Sequence, residues 1–258
     1  MKIAPNAQNA LHRLIQNNGT PEAAWQGWDG LARMPVVPID ALVPFSARLV
    51  VVAPHPDDEI LSGGGLLAQH TQRGGTALVV AVTDGEASHS RTNAAASNAL
   101  AETRCAERSA GLQQLGCSTT DVRRLAMADG TLANYIPALK VALAACLQPG
   151  DVVLTTWRLD GHPDHEACGA AAALACAELP CRLLEAPVWM WHWAAPHDRQ
   201  VPWHRLARLP LATEQVHQKQ RALAAHSSQL VARGNGQGPV LGHALLERLA
   251  RKYEYFFI

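Results

Sequence analysis

Three short apolar runs constrain the fold of this chain more than any other feature of its sequence. Ala47–Ala53 (ARLVVVA), Thr76–Thr83 (TALVVAVT) and Asp151–Thr156 (DVVLTT) are rich in β-branched residues and lack the polar alternation of a half-exposed strand. Runs of this kind are typical of strands that are buried on both faces of a parallel sheet. They therefore predict three central strands of one sheet.

Segments with helical spacing of their apolar residues follow or separate these runs. The spacing predicts helices over Ile60–Arg73, about Asn98–Leu115, about Ile136–Leu147 and about Pro163–Ala177. Strands that alternate with helices in this way indicate an α/β fold, in which helices sandwich a Rossmann-like, mostly parallel sheet.

The simplest organisation of the 258 residues is a single domain with its own core. Residues 1–45 contain no clear strand signal, so we expect an N-terminal extension with a helix over about Ala7–Gln16, ahead of a core of about residues 46–258. In the last third, Thr213–Ala225 and His243–Lys252 favour helices.

Composition excludes several classes of partner. The 22 basic and 22 acidic residues cancel and charged residues make up 17% of the chain, so there is no field to attract nucleic acid or an anionic membrane. No apolar run has the length that a signal peptide needs at the N-terminus or that a membrane span needs elsewhere, and we expect a cytoplasmic protein. The 6 cysteines form no C-x-x-C pair, which argues against a thiolate zinc site. The expected partner is a small molecule, and a homo-oligomer is left open.

The segment His55-Pro56-Asp57-Asp58-Glu59 directly follows the first buried run. Three carboxylates and an imidazole at one strand end need a cation to offset their charge. Zinc binds neutral His nitrogen and carboxylate oxygen, and His55 and Asp58 are close enough across a tight turn to reach one ion. The alternative is that Asp57 or Asp58 only caps the following helix.

The segment His162-Pro163-Asp164-His165 follows another buried strand and opens another helix. Because the carboxyl ends of parallel strands share one edge of the sheet, we expect both clusters on the same rim. His55, Asp58 and His165 would supply the three protein ligands of a catalytic zinc site, with one ion per chain. Fe²⁺ and Co²⁺ also suit such a ligand set. The alternative is an ordinary solvated helix start with Pro at its first position.

In this order the two motifs resemble the PIG-L/LmbE-type family of zinc-dependent N-acetylglucosaminyl deacetylases. The resemblance runs from about Ala47 to Ala173. It also includes Thr83-Asp84-Gly85-Glu86, Arg104, Glu107 and Asp129-Gly130.

The resemblance implies a reaction and roles for individual residues. His55, Asp58 and His165 fall on the family's zinc ligands, Asp57 on its general base, and His162 on the histidine that stabilises the developing charge. The implied reaction is hydrolysis of the N-acetyl or N-acyl amide of a glucosamine-like sugar or glycoconjugate, which releases acetate and a free amine.

One position departs from part of the family. Some members that act in thiol pathways have a Tyr two residues before the first His of the second motif, whereas this chain has Asp160. Zinc and His162 would then polarise the carbonyl with less help. We also expect Asp160 or Asp164 to raise the pKa of His162 by opposite charge.

Further residues are candidates for substrate contact on weaker grounds. Trp189, Trp191 and Trp193 alternate in VWMWHW, so on a strand they would share one face and stack on a sugar or pack in the core. Arg104 and Glu107 are an ordinary helical ion pair or support the site. The candidate substrate contacts are Asp84, Glu86, Arg104, Asp160, Trp191 and His192. The segment from Asp84 to about Asn98 is expected to form a mobile loop over the substrate.

Two other functions remain as alternatives. An amidase that acts on a larger N-acyl conjugate would use the same site. A non-catalytic nucleotide- or metal-binding module is suggested by the Rossmann-like pattern and by Gly63-Gly64-Gly65. No G-x-G-x-x-G joins the first strand to its helix, and the carboxylates of the first motif would repel phosphate there.

Overall fold

The fold is built on a seven-stranded sheet with helices on both of its faces. A computed structural model describes residues 13–16, 18–89, 93–233 and 236–258. The strands are β1 (Leu49–Ala53), β2 (Ala77–Thr83), β3 (Asp121–Met127), β4 (Val152–Thr156), β5 (Arg182–Ala186), β6 (Leu206–Pro210) and β7 (Tyr253–Phe257). The helices are α1 (Glu22–Gln26), α2 (Asp29–Arg33), α3 (Ile39–Leu42), α4 (Asp58–Gln72), α5 (Ala94–Gln114), α6 (Ile136–Ala144), α7 (Pro163–Glu178), α8 (Met190–Trp193), α9 (Thr213–Ala224), α10 (Ser227–Leu230) and α11 (His243–Leu249).

The strand order is β3-β2-β1-β4-β5-β7-β6. The first five strands along this order are parallel, and β7 runs antiparallel to both of its neighbours. The three strands predicted from apolar runs are β1, β2 and β4, which lie next to each other at the centre. The predicted mostly parallel α/β sheet is thereby confirmed.

Alternate residues of β1 pack into two separate cores. Leu49 and Val51 belong to the cluster beneath α4, α9 and α11, whereas Val50 and Val52 belong to the cluster beneath α6 and α7. All four side chains are fully buried. The continuous apolar run is therefore explained by a helix layer on each face of the sheet.

The run Gly63-Gly64-Gly65 lies in the interior of α4, where it allows close packing on the sheet. Gly63 departs from helical geometry, with φ −175° and ψ 39°. A Cβ at this position would lie 2.4 Å from Leu154 Cδ2 on β4, closer than packed atoms approach. The glycines therefore serve helix packing, and the hypothesis of a phosphate-binding loop loses its main sequence signal.

The N-terminal region differs from its prediction where the structure describes it. The expected helix over Ala7–Gln16 lies largely outside the described residues, and residues 13–16 have no helical structure. Three short helices, α1 to α3, follow instead. Val36 forms a bridge to Arg208 in β6, so this segment contacts the edge of the sheet.

Two local predictions were wrong. Helix α5 begins at Ala94, before the expected Asn98, because the Asn93 side chain accepts a hydrogen bond from the Ala96 N–H at 2.9 Å and caps it. The end of the expected loop is therefore helical. The last four residues of VWMWHW form the short helix α8, so the segment is not a strand. Among the described residues, no helix has the length and apolar character needed to cross a membrane.

Candidate functional site

The polar turns after β1 and β4 lie side by side at one edge of the sheet. β1 pairs with β2 on one side and with β4 on the other, so successive crossovers leave β1 in opposite directions. Such a reversal opens a crevice beyond the carboxyl ends of two strands, where α/β proteins bind ligands. His55 follows β1 and His165 follows β4, and the two motifs meet at this crevice.

Three side chains of the two motifs converge on one point. His55, Asp58 and His165 each offer a ligand atom, and these atoms all lie within 4.8 Å of one another. Asp58 Oδ2 lies 3.0 Å from His55 Nδ1 and 3.2 Å from His165 Nε2. All three residues are buried or nearly so. Two imidazoles and one carboxylate in this arrangement match the ligands that zinc prefers.

The electrostatics of this point favour a bound cation. Burial lowers the pKa of His55, but hydrogen bonds to Asp129, Asp164 and Asp58 outweigh burial and raise it well above its ordinary value. Burial also opposes charge on His165, yet Asp58 and Asp160 raise its pKa to about 9. The carboxylates therefore require positive charge here, and a divalent cation would supply it with both imidazoles neutral.

A second group, His55 with His162 and Asp164, also brings ligand atoms within 4.8 Å. Its members already have structural partners, however. Asp164 accepts hydrogen bonds from the backbone N–H groups of Gly130 at 2.7 Å and Leu132 at 3.0 Å. We therefore favour His55, Asp58 and His165 as the ligand set.

Asp160 and Asp164 orient the two candidate histidine ligands by contacting the ring nitrogens that face away from Asp58. Asp160 is fully buried, and its Oδ2 accepts a hydrogen bond from His165 Nδ1–H at 2.8 Å. Asp164 Oδ2 lies 3.3 Å from His55 Nε2. Carboxylates in such positions fix the tautomer and direction of a metal-binding imidazole. The nitrogens that face Asp58 are thereby left to bind an ion.

Asp57 lies beside the metal ligands in a strained backbone conformation. Its φ of 128° is rare for any residue other than glycine. Burial raises the pKa of the Asp57 carboxyl to about 7, although Arg104 opposes the shift. The Asp57 side chain makes no capping hydrogen bond to α4, contrary to the simpler alternative. A carboxylate with a pKa near neutrality is suited to accept and return a proton.

Arg104 holds Asp57 in place. Its guanidinium donates hydrogen bonds to Asp57 Oδ2 at 3.0 Å, to the Pro56 carbonyl at 2.7 Å and to the Gly85 carbonyl at 2.9 Å. Gly85 has a φ of 69°, and a Cβ there would lie 2.0 Å from Arg104 Nη1, so this position requires glycine. The alternative of a simple helical ion pair between Arg104 and Glu107 is not what the structure shows. Glu107 instead accepts hydrogen bonds from Ser227 and Ser228.

His162 faces the same cleft with one ring nitrogen already committed. His162 Nδ1 accepts the backbone N–H of Asp164 at 3.2 Å, so the proton of the neutral ring lies on Nε2. Burial, together with His165 and His55, lowers the pKa of His162 to about 3. The expectation that nearby carboxylates raise this pKa was therefore wrong, because burial and the neighbouring imidazoles outweigh them. His162 can act as a neutral hydrogen-bond donor.

These groups line a cleft of about 290 Å³. Its deep end contains the candidate metal ligands with Asp57, Asp129 and His162. Ser88 belongs to the segment predicted to lie over the substrate, and it does line the cleft. Sequence reasoning missed another part of the wall, namely Gln229, Arg233, Val240 and Leu241. These residues come from the C-terminal third of the chain, where neither motif nor strand pattern marked them.

Most of the weaker candidates for substrate contact do not line this cleft. Asp84 binds Arg124 with hydrogen bonds of 2.6 and 2.8 Å, and Glu86 accepts the Asp129 N–H at 2.8 Å. Trp191 is buried against Trp25 and Tyr255. Two further candidates also have other partners. Asp160 accepts a hydrogen bond from His165, and His192 donates one to the Gln16 carbonyl. Of the six candidates, Arg104 alone reaches the cleft.

Comparison with known proteins agrees with this geometry. Residues 50–176 match the family described as GlcNAc-PI de-N-acetylase, or PIG-L. The matched segment starts in β1, ends in α7 and contains both motifs. This segment, about half of the chain, is a PIG-L domain. A similar protein of this kind is the probable N-acetyl-alpha-D-glucosaminyl L-malate deacetylase 2 of Bacillus anthracis, which is 29% identical over 193 residues, or 72% of this chain and 83% of that protein.

Solved structures support the same fold for this protein. The deacetylase of the antimicrobial A40926 pseudoaglycone superposes with a TM-score of 0.62 at 24% identity, covering 82% of this chain and 96% of that chain. A deacetylase of the teicoplanin biosynthesis pathway gives 0.63 at 22% identity, covering 82% and 97%. A conserved protein from Thermus thermophilus gives 0.56 at 25% identity, covering 78% and 84%.

Proposed function

We propose that this protein hydrolyses the N-acetyl amide of a glucosamine-like sugar or sugar conjugate, with zinc held by His55, Asp58 and His165. The observation that carries the proposal is the position of Asp57, a buried carboxylate with a pKa near 7 directly beside a convergent His-Asp-His set. The match of residues 50–176 to a de-N-acetylase family supports the same reaction. The products are acetate and the free amine.

Zinc in this site would lower the pKa of a bound water and polarise the amide carbonyl. Asp57 accepts the proton that the attacking water loses, and it then delivers this proton to the amide nitrogen as the C–N bond breaks. Arg104 keeps the Asp57 carboxylate directed into the cleft throughout. The proton therefore passes from water to the leaving amine through one side chain.

His162 stabilises the negative charge that develops on the carbonyl oxygen. Its Nδ1 is occupied by the Asp164 N–H, so its Nε2–H is the donor available to the substrate. A neutral donor suits this role because it needs no proton from solution at working pH. The neighbouring side chains of Asp57, Asp58 and His165 are buried, and the lower dielectric around them strengthens the interaction.

The activity test measures acetate and amine release from N-acetylglucosamine and its methyl glycoside. We expect release to stop when a chelator removes the metal and to return when Zn²⁺ is added back. Asp57→Asn should retain one metal ion per chain but lose turnover, whereas His165→Ala should lose both. A metal-free Asp57→Asn protein would mean that the base and ligand are assigned wrongly. Chelator-resistant release would refute the metal mechanism.

A further inference from the structure

A small cavity between α4, α11 and β7 is separate from the candidate metal site. We call it the Arg248 cavity, and its volume is about 60 Å³. Its polar lining includes Ser62, Lys219, Arg248, Arg251, Tyr253 and Glu254. Leu61 lines both this cavity and the cleft, but none of the candidate metal ligands lines the cavity. A ligand in the Arg248 cavity would therefore occupy a site of its own.

Arg248 is a buried cation that forms no ion pair with any residue that the structure describes. It lies on α11 and is 9% exposed. Its Nη2 donates a hydrogen bond to the Thr20 carbonyl at 3.1 Å, whereas its buried Nε and Nη1 have no hydrogen-bond partner among the described residues. Burial and the neighbouring Arg251 lower the pKa of Arg248 to about 10. The guanidinium still carries its charge at neutral pH.

The other charged residues around the cavity are already paired. Lys219 Nζ binds Glu254 Oε1, and both residues are buried. Arg251 donates hydrogen bonds to both carboxylate oxygens of the buried Glu22, at 2.7 and 2.8 Å. The charges of these two pairs cancel. Arg248 therefore leaves a net charge of +1 on this group of residues.

Ser62 offers a second donor to the same cavity. It lies on α4 and is 3% exposed, and its Oγ has no hydrogen-bond partner in the described part of the chain. A buried charge or hydroxyl without a partner costs free energy, and the cost is larger for the charge. A guanidinium can only donate hydrogen bonds, and a hydroxyl can donate one. An anion would satisfy both groups, whereas Arg248 would repel a cation.

The volume of the cavity limits the size of such an anion. By the same measure, a cavity for a single water molecule has about 10–15 Å³. The Arg248 cavity is a few times larger, so it has room for a few waters or for one ion with few non-hydrogen atoms. A formate, an acetate or a chloride ion meets this limit, and each has the single negative charge that would neutralise Arg248.

We propose that the Arg248 cavity binds one small monovalent anion, a carboxylate or a halide, through Arg248 and Ser62. The anion neutralises the buried guanidinium and connects α11 to α4. Arg248 also binds the Thr20 carbonyl, so the anion strengthens the contact between the N-terminal segment and the rest of the fold. The site stabilises the folded protein and takes no part in the proposed hydrolysis.

The test measures thermal unfolding of the metal-loaded protein at rising concentrations of sodium formate, acetate or chloride. Sodium HEPES keeps the ionic strength constant, because its sulfonate is attached to a body too large for the cavity. An anion that binds only the folded state raises the unfolding temperature. We expect a saturable rise of several degrees with at least one of the three small anions, and no rise with gluconate, which is a carboxylate too large to enter.

Matched variants assign the rise to the Arg248 cavity. Arg248→Met removes the charge and keeps an unbranched side chain, so it should unfold in HEPES alone at the wild-type temperature or above it. It should lose the rise with anions. Arg33→Met, at an exposed arginine of α2, is the control and should keep the rise. Ser62→Ala removes one donor and should raise the anion concentration for half of the effect roughly threefold to tenfold, which tests the site should Arg248→Met fail to fold.

His165→Ala separates the cavity from the candidate metal site, where a carboxylate could also bind. We expect this variant to keep the rise. A rise that disappears in His165→Ala, or one that persists unchanged in Arg248→Met or Ser62→Ala, would overturn the proposal. The absence of any rise in the wild-type protein would also overturn it, because the cavity would then hold only water. Since none of these measurements requires turnover, a failure of the proposed deacetylase function would leave them unchanged.

Discussion

Asp160→Asn is the substitution that most directly tests how the fold controls the metal centre. Asp160 is fully buried and accepts hydrogen bonds from four groups, of which three are the backbone N–H groups of Val188, Trp189 and Met190 at 2.9–3.0 Å. His165 Nδ1–H is the fourth donor, at 2.8 Å. One carboxylate therefore holds both the start of α8 and the ring of a candidate metal ligand.

The expected losses of metal affinity and stability depend on which of these hydrogen bonds the Asn side chain can still make. Asn at this position keeps a carbonyl oxygen for the N–H groups of Val188 and Met190, but its NH₂ group would face His165 Nδ1. To accept from that NH₂, His165 must move its proton to Nε2, the nitrogen that faces Asp58, and the ring can then no longer bind metal there. Loss of such a supporting carboxylate lowers metal affinity by about 10–100-fold. The lost charge-assisted bond costs about 1.5–3 kcal/mol of folding free energy.

The assay is Zn²⁺ affinity by competition with a chelator, measured together with urea unfolding of the metal-free protein. Asp151→Asn is the matched control. Asp151 is also buried and binds Arg48 and the Gln148 N–H, but it precedes β4, about 17 Å from the site for a strand of this length. We expect the control to lose stability and keep its metal affinity. Normal metal affinity in folded Asp160→Asn would refute the argument from the His165 tautomer.

Three further substitutions test the site and the core. His162→Ala should keep its metal and lose about 10²–10³ in kcat with a smaller change in KM, measured by steady-state kinetics; loss of metal would identify His162 as a ligand instead. Arg104→Lys keeps the positive charge, but a Lys side chain cannot reach all three acceptors of Arg104. We expect kcat to fall about tenfold or more at unchanged metal content, and full activity would refute the positioning role of Arg104. Trp25→Ala removes a fully buried ring packed 5.1 Å from Trp191 and should cost roughly 3–5 kcal/mol of stability in denaturant unfolding while Zn²⁺ affinity is retained. A loss below about 1 kcal/mol would show that the aromatic cluster repacks.

The sequence by itself determined the centre of the sheet and the composition of the site. Helices cover both faces of β1, β2 and β4, so consecutive residues of these strands are buried and apolar. A continuous apolar run is therefore visible in the sequence. The two His-Pro-Asp motifs lie in the turns that follow β1 and β4, and parallel strands end at one edge. The meeting of His55, Asp58 and His165 follows from these two local facts.

The outer strands were missed because their signals are not local. β3 lies at one edge of the sheet and exposes most of its side chains, so DVRRLAM has no apolar run. β5 is short and carries the charged residues Arg182 and Glu185, which interrupt its apolar pattern. β7 pairs with β6, which lies more than 40 residues earlier in the chain. Each becomes a strand through its neighbour in the sheet.

Tertiary structure alone decided the roles of Asp160 and the tryptophan segment. The alternation in VWMWHW favours a strand, but the Asp160 carboxylate accepts the N–H groups of Val188 to Met190 and satisfies the donors that a helix start leaves free. The same contact turns Asp160 away from the cleft and towards His165. The two partners lie far apart in sequence, since Asp160 and Met190 are separated by 30 positions. A sequence pattern within one short segment cannot reveal an interaction with a residue that lies beyond the next helix and strand.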